Sequence, residues 1–167
     1  MSQHGRTSAP SSKVDGFVPA TYVQLLYEYL NDQGLDAEKL LGRPPQVPAN
    51  GLGRYPVMLW QQLLTRAADL LEDPLLGLHL GSRISPKNLG MLGYILLSCG
   101  TLGGALKRLV HYYRLIYDVN PLTLSTENDL IQLHWGEERG RPGALVDETA
   151  ISALLQFGLR ANVLKSL

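Results

Sequence analysis

Apolar positions recur at intervals of three and four along most of the chain and change to strict alternation only between Leu122 and Trp135. The first periodic stretch opens at Pro19, where Tyr22, Val23, Leu26, Tyr29 and Leu30 fall on one stripe of a predicted helix. Gly34 stands where a left-handed C-cap would end it. Leu35 to Gly42 predicts a short second helix, and the proline- and glycine-rich run RPPQVPANGLGRYP predicts a long exposed loop without regular structure. Pro56 fits the first turn of a third helix, in which Trp60, Leu63, Leu64, Ala67 and Leu71 keep helical spacing to about Asp73. A short helix is expected in DPLLGLHLGSR. Ser85 and Pro86 then read as the N-cap and first turn of a helix carrying Leu89, Leu92, Gly93 and Leu96. Ser98-Cys99-Gly100 interrupts that helix, and Thr101 can cap the next one through its hydroxyl. The stripe of this last helix, the most regular in the sequence, is Leu102, Ala105, Leu106, Leu109, Tyr113, Ile116 and Tyr117. Lys107, Arg108, His111, Arg114 and Asp118 lie mostly on its other face.

Beyond Asn120-Pro121 the period is two. Leu122 and Leu124 alternate with Thr123 and Ser125, while Ile131, Leu133 and Trp135 alternate with Gln132 and His134. With Glu127-Asn128-Asp129 as the turn, this predicts a β-hairpin. After a charged Gly/Pro loop from Gly136 to Gly143, Ile151, Leu154, Leu155, Gly158 and Leu159 return to helical spacing. The predicted fold class is α+β: a mainly helical layer of about five to six helices packed on a small antiparallel sheet or hairpin. A lone two-stranded hairpin is marginal in water, so helices must cover this one or its sheet is incomplete. The last helix runs to Leu167 without a stop signal, so the chain is expected to be a piece of a longer protein.

Composition fits one globular domain, with 45% apolar and 18% charged residues over 167 positions. The polar start, residues 1–16, reads as a disordered tail ahead of one folded unit over residues 17–167, and it lacks the apolar centre of a signal peptide. No window resembles a membrane span, so no membrane partner is expected. Fifteen basic residues balance fifteen acidic ones, which leaves no overall positive field to gather phosphates. Neutrality also leaves little repulsion between copies and is compatible with a homodimer. The single cysteine, Cys99, excludes an intramolecular disulfide and a cysteine-based zinc cluster, in keeping with a reducing cytoplasm.

Chemistry-bearing patterns are sparse. His4, His79, His111 and His134 fall in four segments without an i,i+4 pair, so no metal site is expected. The run Gly100-Thr101-Leu102-Gly103-Gly104 lacks the Gly-Lys-Ser/Thr ending of a phosphate loop and reads as a tight turn between helices. No nucleophile elbow is present, and Cys99 within ILLSCG lies in an apolar setting that does not activate a thiol. No catalytic residue and no cofactor is assigned. The best local pattern for recognition is the aromatic and basic cluster near the end of the helix that Thr101 opens. Tyr94, His111, Tyr112, Tyr113, Arg114, Tyr117 and Trp135 are the candidate contacts of a small ligand, because tyrosine gives an apolar wall with a polar tip and arginine can grip a carboxylate. The competing reading is that Tyr113 and Tyr117, both on the apolar stripe, pack the core.

From Asp73 to Tyr117 the order of features is a D-P-x-L-G-L-x-L-G start, an L-G-x-L-G-Y-x-L-L-S segment and a T-L-G-x-A-L-x-x-L-x-x-Y-x-x-L helix. This resembles the N-terminal regulatory domain of AraC-type bacterial transcription regulators, in the branch of the ornithine-utilisation regulator. Weaker similarity covers most of the chain after Phe17. One departure is Gly104, where relatives often carry a Glu that would complete a capping box with Thr101. The resemblance implies a sensing or dimerising module over residues 17–167, with transcriptional activation as its output. It implies a small-molecule effector of unspecified identity, and DNA contact only through a C-terminal helix-turn-helix domain absent from this chain. Two alternatives stay open: a dimerisation domain without a ligand, and an enzyme of unrecognised type.

Overall fold

A computed structural model describes residues 14–49, 53–128 and 130–160. Most of the expected tail, the Asn50–Leu52 part of the expected loop, Asp129 of the hairpin turn and the last residues of the chain lie outside these. The elements in chain order are β1 (Phe17–Pro19), α1 (Ala20–Asp32), α2 (Ala37–Leu41), β2 (Arg54–Pro56), α3 (Val57–Leu71), α4 (Leu76–Gly81), α5 (Met91–Leu97), α6 (Leu102–Tyr112), β3 (Leu122–Glu127), β4 (Leu130–Trp135) and α7 (Ala144–Arg160). Single 3-10 turns cover Pro86–Leu89 and Tyr113–Leu115. The architecture is α+β, with seven α-helices and two separate two-stranded antiparallel sheets among the described residues.

The helical periodicity of the sequence is what builds the core. Val23, Leu26 and Leu30 of α1 meet Trp60 and Leu64 of α3, Leu76 and Leu80 of α4 and Val146 of α7, all of them fully buried. Trp60 is 0% exposed and lies with its ring centroid 6.5 Å from that of Tyr22. Its indole N–H has no acceptor among the described residues, a desolvated donor that the surrounding apolar packing must outweigh. Gly34 ends the α1 region at φ +78°, the left-handed conformation its sequence position predicts.

Four features depart from the sequence expectation. The helix that Thr101 opens, expected to carry its stripe through Tyr117, ends at Tyr112 and gives way to the 3-10 turn Tyr113–Leu115. The proline-rich loop is not irregular throughout: Arg54–Pro56 forms β2 and pairs with β1, Val18 opposite Tyr55. The partner strand supplies the hydrogen bonds that local propensity cannot, and Pro56 sits at the strand end, one residue before α3 begins. The helix expected after Ser85 is split, because Gly90 at φ +57° and ψ −142° separates the 3-10 turn from α5. In α7 the apolar spacing does not mark the buried face. Ile151 and Leu155 are exposed, whereas Val146, Thr149, Ser152, Ala153 and Phe157 are buried.

The glycines of the D-P-x-L-G-L-x-L-G stretch explain that buried face. A Cβ on Gly77 would stand 2.5 Å from the Leu145 carbonyl oxygen, and one on Gly81 2.6 Å from that of Thr149. α4 therefore crosses α7 at a separation only glycine permits. The Ser152 hydroxyl adds a 2.8 Å hydrogen bond to the Leu78 carbonyl. This crossing fixes α7 against the main core, and α7 in turn carries one wall of the site described next.

Candidate functional site

A second, smaller cluster lies beyond the core, where Leu92 and Leu96 of α5, Ala105 of α6 and Phe157 of α7 are buried together. These side chains do not fill the space between their helices. An apolar cavity of about 70 Å³ remains, walled by Leu92 and Leu96, by Leu109 of α6 and by Ala153, Leu154 and Phe157 of α7. Tyr22, Leu89, Tyr113, Ile116, Leu122 and Ala150 add to the lining, together with Tyr117 and Trp135 of β4. A second hollow of about 360 Å³ opens between the hairpin and the start of α7. Tyr117, Trp135 and Ala150 line both spaces, so the two are adjoining chambers.

The frame of the site is held by side-chain bonds to backbone. The Tyr113 hydroxyl donates to the Asn120 carbonyl at 2.6 Å and accepts from the Leu122 amide at 2.7 Å, which sets where β3 starts. Asn120 donates through Nδ2 to the Gly140 carbonyl at 2.8 Å, and its Oδ1 accepts from the Arg139 amide at 3.0 Å. The Arg139 guanidinium pairs with Asp118 at 3.0 Å. The loop from Gly136 to Gly143 is thereby pinned to the segment between α6 and β3. Thr101 caps α6 as its position predicts, accepting from the Gly104 amide at 3.1 Å, so the missing Glu does not abolish the cap. The α5 side is tied to α1 where the Thr21 hydroxyl donates to the Asn88 carbonyl at 2.6 Å. Gly93 lets α5 approach the preceding turn, since a Cβ there would lie 2.2 Å from the Pro86 carbonyl oxygen.

The two chambers differ in chemistry. The smaller is almost wholly apolar, and the tip of Tyr113 is already spent on backbone partners. The larger is faced by Asn120, His134, Glu137, Arg141 and Asp147. One terminal nitrogen of Arg141 reaches both oxygens of Glu137, at 2.7 and 2.8 Å. Partial burial pushes the Asp147 carboxyl above the ordinary range; Arg141 opposes that shift and Glu137 and Glu148 add to it. Burial likewise drives the Tyr117 hydroxyl strongly upward, helped by repulsion from Asp147 and Tyr22. Tyr117 is a neutral phenol throughout the physiological range.

Of the seven residues singled out from the sequence, Tyr113, Tyr117 and Trp135 converge on the chambers. The other four do not join them. Tyr94 projects from α5 with 63% of its surface exposed. His111 and Tyr112 pack edge to face at 4.5 Å between ring centroids on the exposed end of α6, and Arg114 is exposed beside them. Sequence reasoning missed Phe157, Asn120, Glu137, Arg141 and Asp147 as lining residues. An apolar residue on a helix carries the same pattern whether it faces a cavity or a neighbour. The polar five-residue facing, in turn, comes from four separate segments that only the fold brings together. Among the described residues no group of three or more His, Cys, Asp or Glu side chains could hold a metal ion, and no helix is long and apolar enough to cross a membrane.

The chain is similar to known proteins over much of its length. The family described as the arabinose-binding domain of AraC transcription regulators, N-terminal, matches residues 34–167. The ornithine utilization regulator of Pseudomonas aeruginosa is 32% identical over 102 residues, a match that covers 59% of this chain and 30% of that relative. The chain thus spans less than a third of the length of the curated relative it matches.

Proposed function

The chain belongs to the N-terminal arabinose-binding domain family of AraC transcription regulators, and from that premise we propose that it senses a small-molecule effector in the paired chambers beside α7. The observation that carries this reading is the unfilled apolar cavity adjoining a polar hollow, with Trp135 and Tyr117 lining both. Ligand sites are mainly apolar concavities with a few convergent polar groups. The walls come from α5, α6, the hairpin and α7, so a bound molecule changes how four elements sit on one another. Such a ligand shifts the protein only by binding one arrangement more tightly than another. In this proposal DNA is contacted by a helix-turn-helix portion outside residues 1–167, the protein acts in the cytoplasm, and no reaction is assigned to the domain.

The test is a metabolite panel screened by thermal shift and by tryptophan fluorescence on the 167-residue chain. A binder at one hundred times its Kd should stabilise the fold by about 2.7 kcal/mol. Leu96→Trp, which fills the apolar chamber, should abolish that response. A broad panel without a single binder would sink the reading. A second reading, a dimerisation domain without a ligand, is favoured by one feature: Met91, Tyr94 and Leu97 are exposed along one face of α5, Met91 at 73%. Light scattering separates the two, since a strictly monomeric full-length protein excludes the dimerisation reading.

A further inference from the structure

We infer that the effector is an organic amine carrying a short apolar body, its ammonium beside Asp147 and the faces of Trp135 and Tyr117, its apolar end in the Leu96–Phe157 chamber. This inference rests on the two chambers being the effector site. It deepens that reading by naming the chemistry of the ligand.

The charge balance of the larger chamber supports it. Its walls present two carboxylates, Glu137 and Asp147, against one guanidinium, Arg141. Arg141 and Glu137 satisfy each other through the shared nitrogen. Asp147 has no ion pair among the described residues, and the amide groups of Asn120 are already bonded to Gly140 and Arg139. Arg141 also attracts the exposed Asp147 carboxylate, and the two carboxylates against one guanidinium leave the wall net negative, which favours a cation. A carboxylate ligand would have to strip Arg141 from Glu137 and then sit near Asp147, a like-charge contact. His134, on the neighbouring strand, is the remaining titratable group of this wall.

The aromatic pair adds a second, independent preference. An ammonium within about 6 Å of a tryptophan or tyrosine face is attracted by the ring quadrupole, most strongly where water is excluded. Trp135 and Tyr117, with Ala150, line both chambers, which puts both rings beside a molecule that spans the two. Tyr117 remains a neutral phenol and adds no competing charge. Beyond them the lining is apolar apart from Tyr22 and Tyr113, the latter with its hydroxyl bonded to backbone, and a cavity of about 70 Å³ suits a short hydrocarbon segment. An ordinary helix N-terminal role for Asp147 explains its place in the first turn of α7, but not the adjoining aromatic pair or the apolar chamber behind it.

A matched set of probes decides the matter: hexylamine, 1-hexanol and hexanoate share a tail and differ in the head, and methylamine has the head alone. Affinities for the 167-residue chain are read by tryptophan fluorescence, to which both Trp60 and Trp135 contribute, and by calorimetry. Hexylamine should bind about tenfold more tightly than hexanol or hexanoate, and methylamine should bind too weakly to measure. Asp147→Asn should remove the preference for the amine and leave hexanol unchanged. Equal or tighter binding of hexanoate, or an amine preference that survives in Asp147→Asn, would overturn the amine assignment while leaving the chambers as the effector site. Failure of all three six-carbon probes would overturn the chamber reading itself.

Discussion

The molecule has two apolar regions that differ in how completely they close. Around Trp60, among the described residues, twenty buried side chains from β1, α1, α2, α3, α4, α7 and flanking loops form one contiguous cluster. Around Leu96, among the described residues, four buried residues cluster, and three of them, Leu92, Leu96 and Phe157, line a cavity. The first region is built by long amphipathic helices and by glycines that let α4 and α7 touch backbone to backbone. The second is built by the short helix α5, by α6 with a single fully packed position, Ala105, and by a hairpin held to the helices mainly at its Leu122–Trp135 end. Packing of the first kind leaves one arrangement. Packing of the second kind leaves room for a ligand and for movement, and both meet on α7.

Truncating one leucine in each region tests the contrast most strongly. Leu26→Ala, in the closed core, should lower unfolding free energy by about 4–5 kcal/mol, near the upper limit for such changes. Leu96→Ala should lower it by only about 2 kcal/mol, because a wall already facing a void loses fewer contacts. Urea denaturation measures both, and equal losses would erase the distinction. Gly81→Ala comes next, with a loss of about 1–3 kcal/mol despite the better helix propensity of alanine, since the new methyl meets the Thr149 carbonyl and Ser152. A neutral effect there would show that the α4–α7 crossing can slide. Tyr113→Phe should cost about 1–2 kcal/mol by leaving the Leu122 amide and the Asn120 carbonyl without their shared partner, and should loosen the hairpin in amide exchange more than the core.

The smallest expected change comes from Asp147→Asn. Its carboxyl is raised in the folded state above the ordinary 3.8, so the folded protein holds this proton more tightly than the unfolded chain. The resulting stability is fully present below the unfolded pKa and is lost as pH rises through the folded one. The variant should therefore flatten the fall in stability just above pH 3.8 and change neutral-pH stability by no more than about 0.5 kcal/mol. A thermal-melting series in pH reads both. An unchanged slope would show that Asp147 is not desolvated.

Much of this division was legible in the chain. Period alone placed α1, α3, α6 and the hairpin, because each carries an unbroken stripe of apolar positions. Thr101, Ser85 and Gly34 marked boundaries through local hydrogen bonding and backbone conformation, which are properties of neighbouring residues. β1 and β2 were invisible because three-residue strands have no period and exist only through each other. The buried face of α7 was misjudged for a related reason. Thr149 and Ser152 are buried by the close approach of Gly77 and Gly81, some seventy residues earlier. At the site, the Tyr113–Tyr117 stripe and Trp135 were legible as aromatic residues at the edge of elements. Asp147 and Arg141 were not, since nothing local distinguishes a charge facing a hollow from one facing solvent.

The division itself is tested most directly by native-state amide hydrogen exchange, resolved by segment. Amides in the middle of α1 and α3 should exchange only through global unfolding, whereas those of α5, α6 and the hairpin should open at a free energy lower by about 2 kcal/mol or more. Uniform protection across both regions, or slower exchange in α5 and α6 than in α1, would contradict the account.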